Sequence, residues 1–248
     1  YYASRGLGDV YKRQLLRKWG EKMVILQKER SENSRSYAVR VLLYNIIHLE
    51  LQPGTAVSEN ELSTTLSLSR TPVREALIEL NRIGLVEILP QRGSYISKID
   101  YNIVEESRFL RLVTENAILK LLCDKIADAD MDALDYNIKK QQRSLEQKDR
   151  ETFLELDNEF HELLFRAADK MWSYHIIKEQ MVHFDRLRSL STKSKQHDYV
   201  LKDHEDILYA IRRHDSEMAE MLMTRHLTRH LSEKKELLTM YPDYFTNN

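Results

Sequence analysis

Asp157 and His161 stand four residues apart in Leu156-Asp-Asn-Glu-Phe-His161, so a helix would present both side chains on one face. His204 and His226 come from two later stretches of the chain. Were the three imidazoles and the carboxylate to meet inside a helical bundle, they would suit a divalent transition ion such as zinc or nickel. Further coordination positions would be open to water or a ligand carboxylate. Spacing alone leaves a plainer reading open, because an Asp and a His at this interval also fall on solvated helix faces.

A second group of side chains points to nucleic acid. The stretch from Ser58 to Leu80 reads as two short helices joined by a tight turn. The second helix opens on Ser69, Arg70 and Thr71, carries Arg74 one turn on, and keeps apolar residues along one side. That arrangement is what a helix needs to push its N-terminus into the major groove. Arginine suits two-pronged contact with guanine, and threonine suits a phosphate or a thymine methyl. Ser69 can cap the helix while the N–H groups beside it meet a phosphate. The following Gly84-Leu-Val-Glu-Ile-Leu-Pro-Gln-Arg-Gly-Ser-Tyr-Ile96 reads as a β-hairpin, a wing whose Arg92 could enter the minor groove and whose Gly93 permits the turn. A capped surface helix with solvated arginines beside an ordinary hairpin is the alternative; the order of the whole set favours DNA.

The elements that must hold these groups follow from apolar spacing and turn formers. A first helix is predicted over 37–49 and stops at Pro53-Gly54. The next covers 59–66, with Ser58 at its cap and Glu61 three residues on, a capping-box interval. Ser69 caps the third, and Pro72 lies in its first turn, where a missing N–H is harmless. Leu77, Leu80 and Ile83 face the core and Gly84 ends the helix. Wing strands are predicted over 86–89 and 94–97. Beyond Asp100, apolar residues recur every three or four positions in about six segments: 101–127, 130–148, 150–168, 172–191, 199–213 and 215–239. Short breaks between long amphipathic helices imply antiparallel neighbours. The expected fold is mainly α, a winged helix-turn-helix followed by an all-helical antiparallel bundle of about six helices. Residues 1–22 are expected to be a non-native or disordered leader, with Met23 as the start. Residues 23–99 form the DNA-binding domain, and 100–248 the effector-binding and dimerisation domain.

Composition agrees with long helices and few turns, since the 248 residues include only 6 Gly and 4 Pro. The one cysteine, Cys123, excludes an intrachain disulfide and, beside Leu121 and Leu122, reads as a buried thiol in a reducing compartment. No run approaches the ~20 apolar residues of a membrane helix, and the N-terminal stretch lacks a signal-peptide core. A cytoplasmic protein without a membrane partner is expected. The net charge of −1 divides into +4 over 1–22, +1 over 23–99 and −6 over 100–248. Charge therefore does not suggest nucleic acid; the motif does. Two doublets, His197-Asp198 and His214-Asp215, would open a metal-dependent hydrolase reading. They fall at helix junctions, where Asp is expected as a cap. The sequence has neither a Glu-x-x-His pair of the di-iron bundle type nor a serine or cysteine nucleophile with an evident partner. No enzymatic activity is expected.

Pro53-Gly54, Glu61-Leu62, Ser69-Arg-Thr-Pro-Val-Arg-Glu-Ala-Leu77, Gly84-Leu85-Val86 and Arg92-Gly93 resemble the N-terminal domain of GntR-family transcriptional regulators, over roughly residues 37–98. One departure is Glu50, where the family commonly has a glycine before the Pro-Gly turn. The resemblance implies binding of operator DNA, a short inverted repeat, by a homodimer. Phe153, Asp157, Phe160-His161, His204 with Ile207 and Ala210, Asp215, Ala219 and His226-Leu227 resemble the FCD effector domain of the FadR subfamily, over about residues 101–235. Arg111 and Glu115 fit its first helix. This implies that Asp157, His161, His204 and His226 hold a divalent metal (zinc, with nickel or manganese as alternatives) in a pocket for a small organic acid. Arg111 is the candidate carboxylate clamp; a structural ion pair with Glu115 is its alternative reading. His230 ranks behind His226, which keeps the family's spacing of seven from Ala219. Where the family often places an asparagine, this chain has Asp169-Lys-Met171. The resemblance thus implies a ligand-responsive DNA-binding regulator, a repressor, rather than a metal-dependent bundle hydrolase or a regulator whose bundle only dimerises.

Overall fold

A computed structural model describes residues 23–194 and 198–246, without the side chains of 192–194 and His230. The leader expected over 1–22 and the doublet residue His197 lie outside the described residues. The chain divides into two compact units, one running up to Tyr101 and rejoined by the segment from Tyr241, the other formed by Asn102–Met240.

In the first unit, α1 (Ser34–Ile47) is opened by Asn33, whose side chain accepts from the Ser36 N–H. It buries Val41, Leu42 and Ile46. β1 (Ala56–Val57) leads to α2 (Glu59–Leu66) and α3 (Arg70–Arg82), then to the wing strands β2 (Val86–Leu89) and β3 (Gly93–Ile96). On α3 the buried residues are Val73, Ala76, Leu77 and Leu80, an interval of three and four that lays one stripe on the core. Gly84 then takes φ 74°, and Leu85 N–H bonds back to the Leu80 carbonyl at 2.9 Å, which closes the helix as expected. β2 and β3 pair antiparallel from Val86 opposite Ile96 to Leu89 opposite Gly93. The hairpin turn centres on Pro90 and Gln91, with Arg92 N–H bonded to the Leu89 carbonyl at 3.0 Å and Gln91 at φ 60°.

Three local features differ from the sequence reading or add to it. Ser58 and Ser69 occupy the N-cap positions of α2 and α3 with extended backbone, but neither side chain makes a cap hydrogen bond. For Ser69, Pro72 three residues on removes one of the two donors such a cap can meet. β1 was not expected: two residues are too few for alternation to show, yet Ala56 pairs with Tyr95 and Val57 with Ser94 to complete the order β1-β3-β2. Ahead of the Pro-Gly turn the left-handed residue is Leu49, at φ 61°.

The segment after Met240 belongs to this unit. Ile99 and Phe245 form a parallel bridge, Ile99 N–H bonds to the Tyr244 carbonyl at 2.8 Å, and the Phe245 ring stacks on Tyr101 at 5.2 Å. Phe245 is buried by these contacts.

The described residues of the second unit are helical: α4 (Tyr101–Asp124), α5 (Asp128–Glu146), α6 (Arg150–Ala167), α7 (Met171–Gln180), α8 (Val182–Ser194), α9 (Asp198–Arg212), α10 (Ser216–Thr228) and α11 (His230–Met240). The six amphipathic segments are present, two of them divided once. The dividing residues, Met181 and Arg229, both keep right-handed helical dihedrals, so the apolar period passes through them unbroken. Asp149 caps α6 by accepting from the Thr152 N–H, and Asp215 caps α10 by accepting from that of Met218. Helix ends turn on left-handed Lys148, Asp169 and His214 (φ 57°, 54° and 56°), each followed by an N–H that bonds five residues back. Asp169 fills the place expected of an asparagine, and aspartate tolerates that conformation nearly as well.

Candidate functional site

The buried face of α6 carries Phe153, Leu156, Asp157, Phe160, His161, Leu164 and Phe165. A stride of three and one therefore sends Asp157 and His161 inward with the aromatic core. On α9, His204 shares the buried face with Ile207 and Leu208. On α10, His226 lies one turn beyond the buried Leu222 and Met223. The ligand atoms of Asp157, His161, His204 and His226 all lie within 4.8 Å of one another.

Two of the three rings are held from behind by a hydrogen bond. His161 Nδ1 lies 2.6 Å from Glu115 Oε2, and His204 Nδ1 lies 2.9 Å from Gln141 Oε1. A carboxylate and an amide oxygen only accept, so each Nδ1 carries the proton and each Nε2 presents its lone pair. His226 Nδ1 faces Asp203 Oδ2 at 3.6 Å, beyond a hydrogen bond but with the same polarity. Neither His161 Nε2, nor His204 Nε2, nor the Asp157 carboxylate can donate inward. His161 Nε2 and His226 Nε2 face each other at 3.2 Å, and His204 Nε2 is buried without a hydrogen-bond partner, 3.6 Å from Asp157 Oδ1. Lone pairs converging on a carboxylate repel one another, and a cation is what relieves them. Three imidazoles and one carboxylate fit a divalent transition ion, with Glu115, Gln141 and Asp203 as the outer groups that fix the rings.

Electrostatics favour the ligating form. Burial pushes His226 down to about 4 and lowers His161 and His204, the last also pressed by His226 and His161. All three imidazoles are therefore neutral at neutral pH. Burial pushes Glu115 up, but Arg111 and His161 outweigh it and hold its carboxyl at about 2. Asp203 behaves alike: His226 and Arg229 overcome its burial and keep it charged.

Arg111 lies on α4, 1 % exposed, with Nε donating to Glu115 Oε1 at 2.6 Å. The ion pair read from its spacing is present. Its Nη2 is nevertheless buried without a hydrogen-bond partner. Arg111 also lines a cavity of about 70 Å³ with Asp157, Arg188, His226 and Arg229. Arg188 pairs with Asp157 and donates to Asn158 and Asp185. Sequence reasoning missed Gln141, Arg188 and Asp203. Asp203 adjoins His204, which was a usable hint; Gln141 and Arg188 have no local signal.

In the first unit, Ser69, Arg70, Thr71 and Arg74 form one exposed face at the start of α3, and Arg92 and Gly93 are exposed at the wing. Arg70 and Arg74 are 62 % and 59 % exposed and share Glu59 of α2. Arg74 holds that carboxyl below its usual range. Of the hydrolase doublets, Asp215 is a helix cap and His214 Nδ1 donates to the Cys123 carbonyl at 2.7 Å. Neither joins the cluster. Cys123 is buried, and no helix of the described residues is long and apolar enough to cross a membrane.

Comparison with known proteins assigns both units. Residues 37–96 match the family described as bacterial regulatory proteins, gntR family, and residues 106–229 match the FCD domain. The chain is 34 % identical over 208 residues to the HTH-type transcriptional repressor RspR of Escherichia coli K12, covering 84 % of this chain and 91 % of that protein. It is 32 % identical to an uncharacterized HTH-type transcriptional regulator in an unstable DNA locus of Streptomyces ambofaciens, covering 82 % and 86 %. Among solved structures, E. coli McbR/YncC shares the fold with a TM-score of 0.70 at 17 % identity, over 85 % of this chain and 99 % of that one. With a winged helix-turn-helix matched over residues 37–96 and an FCD domain over residues 106–229, the chain belongs to the GntR family of bacterial regulatory proteins and is a transcriptional regulator.

Proposed function

We propose that this regulator is an acid-responsive repressor whose bundle holds a divalent metal through Asp157, His161, His204 and His226. The observation that carries the reading is the convergence of three imidazoles and one carboxylate, with His161 Nε2 and His204 Nε2 both turning lone pairs inward. Zinc is the first candidate and nickel or manganese the alternatives, all compatible with nitrogen and carboxylate ligands. A bundle serving dimerisation alone gives no reason to bury a lone pair such as that of His204 Nε2. When bound, the metal would supply positive charge and an open position for an acid oxygen.

The effector is a small carboxylate. Arg111, Arg188 and Arg229 line the same cavity as Asp157 and His226, and the unpartnered Arg111 Nη2 is a donor for an anion. About 70 Å³ holds two to three waters' worth of volume, which suits an acid of few heavy atoms. In the first unit, Ser69, Arg70, Thr71, Arg74, Arg92 and Gly93 meet the operator: the arginines read bases, Ser69 and Thr71 phosphate, and the wing the neighbouring groove. Binding as a homodimer to a short inverted repeat belongs to the same reading. Ile103, Leu110, Val113 and Leu121 lie exposed along one side of α4, an apolar face of the kind a second copy covers. Repression is the activity named for the E. coli relative.

Elemental analysis of the purified protein, followed by gel shifts with a panel of small carboxylic acids, tests the reading. About one transition ion per chain and an acid that changes operator affinity 5- to 150-fold are expected. A metal-free protein that binds no added zinc, nickel or manganese would refute it.

A further inference from the structure

Glu59 opens α2 and stands between the two arginines of α3. Its Oε1 accepts from Arg74 Nε and its Oε2 from Arg74 Nη2, both at 2.9 Å, while Arg70 Nη2 lies 3.6 Å from the same Oε2. A guanidinium offers two edges for paired hydrogen bonds, the side edge of Nε with one Nη and the end-on fork of both Nη atoms. Glu59 occupies the side edge of Arg74 and leaves the end-on fork, which can grip guanine O6 and N7. The pair lies at the surface, with Arg74 59 % and Glu59 26 % exposed. Such pairs add little to stability, so the consequence of this one lies in where Arg74 points. A carboxylate on this face also repels the phosphates of any duplex that does not offer the arginine its contact.

We infer that Glu59 is a specificity-determining positioning residue: it presents Arg74 end-on to one base pair of each half-site, and its charge weakens binding to sequences that lack that pair. This rests on the proposed base-reading role of Arg74, and the experiment separates the two.

A pool of duplexes with a randomised core is selected in parallel by the full chain and its Glu59→Gln, Arg74→Ala and doubly substituted variants, with melting temperatures recorded for each. Arg74→Ala is expected to lose preference at one base pair per half-site. Glu59→Gln loses about tenfold preference at the same pair, binds the unselected pool more tightly, and adds no further loss when combined with Arg74→Ala. If Glu59→Gln selects the wild-type sequence at wild-type strength while Arg74→Ala does not, the inference falls and base reading by Arg74 stands. If Arg74→Ala itself selects the wild-type sequence, base reading by Arg74 falls and the inference with it. Should Glu59→Gln fail to fold, Glu59→Asp keeps the charge on a side chain one methylene shorter. It is expected to lose the same preference, and its retention would overturn the inference.

Discussion

The two units treat arginine in opposite ways. On α3, Arg70 and Arg74 are more than half exposed and share a single surface carboxylate. On α4, Arg111 is 1 % exposed, tied to a Glu115 that is equally buried and that in turn holds His161. Exposed charges contribute little to folding and can be committed to a partner. A buried charge cannot be removed without leaving its counterpart stranded. One unit therefore keeps its proposed DNA-reading arginines separable from its stability, and the other builds its proposed acid-binding arginine into its core.

The sharpest way to break that contrast is Arg111→Ala. It leaves the Glu115 carboxylate buried beside His161 alone, and denaturant unfolding should show a loss of about 3–5 kcal/mol. A loss under about 0.5 kcal/mol would place Arg111 in the same class as the surface arginines. Arg74→Ala should do the reverse. Unfolding free energy stays within about 0.5 kcal/mol of wild type, while anisotropy titrations on a selected operator lose about 1–3 kcal/mol. Between these lies Gln141→Leu, which removes the acceptor behind His204 and leaves all four proposed ligands in the chain. Competition with a chelator should register a 10- to 100-fold weaker metal affinity, and unchanged affinity would reduce Gln141 to packing.

The same contrast explains what could be read from sequence. The first unit's chemistry is local: Ser69 to Arg74 sit within one and a half turns, so spacing alone exposes the face they share. What failed there also had local causes, a proline removing a cap donor and a strand of two residues. In the bundle, Asp157 and His161 show on one helix, but their meeting with His204 and His226 depends on α6, α9 and α10 packing together. Only family resemblance supplied that meeting. The groups behind the rings are further out of reach, because Gln141 lies on α5, 63 positions from the histidine it orients. Apolar periodicity could not show the divisions at Met181 and Arg229, since both residues stay helical.

The left-handed helix ends leave this chain room for improvement. Lys148, Asp169 and His214 hold a conformation that glycine adopts freely and that costs residues other than glycine, asparagine and aspartate roughly 1–2 kcal/mol. All three are outside the proposed metal ligands and the DNA-reading face. Lys148, exposed and capping no neighbouring helix, is the site at which thermal tolerance can be raised while the DNA-reading face and the proposed metal ligands are left alone.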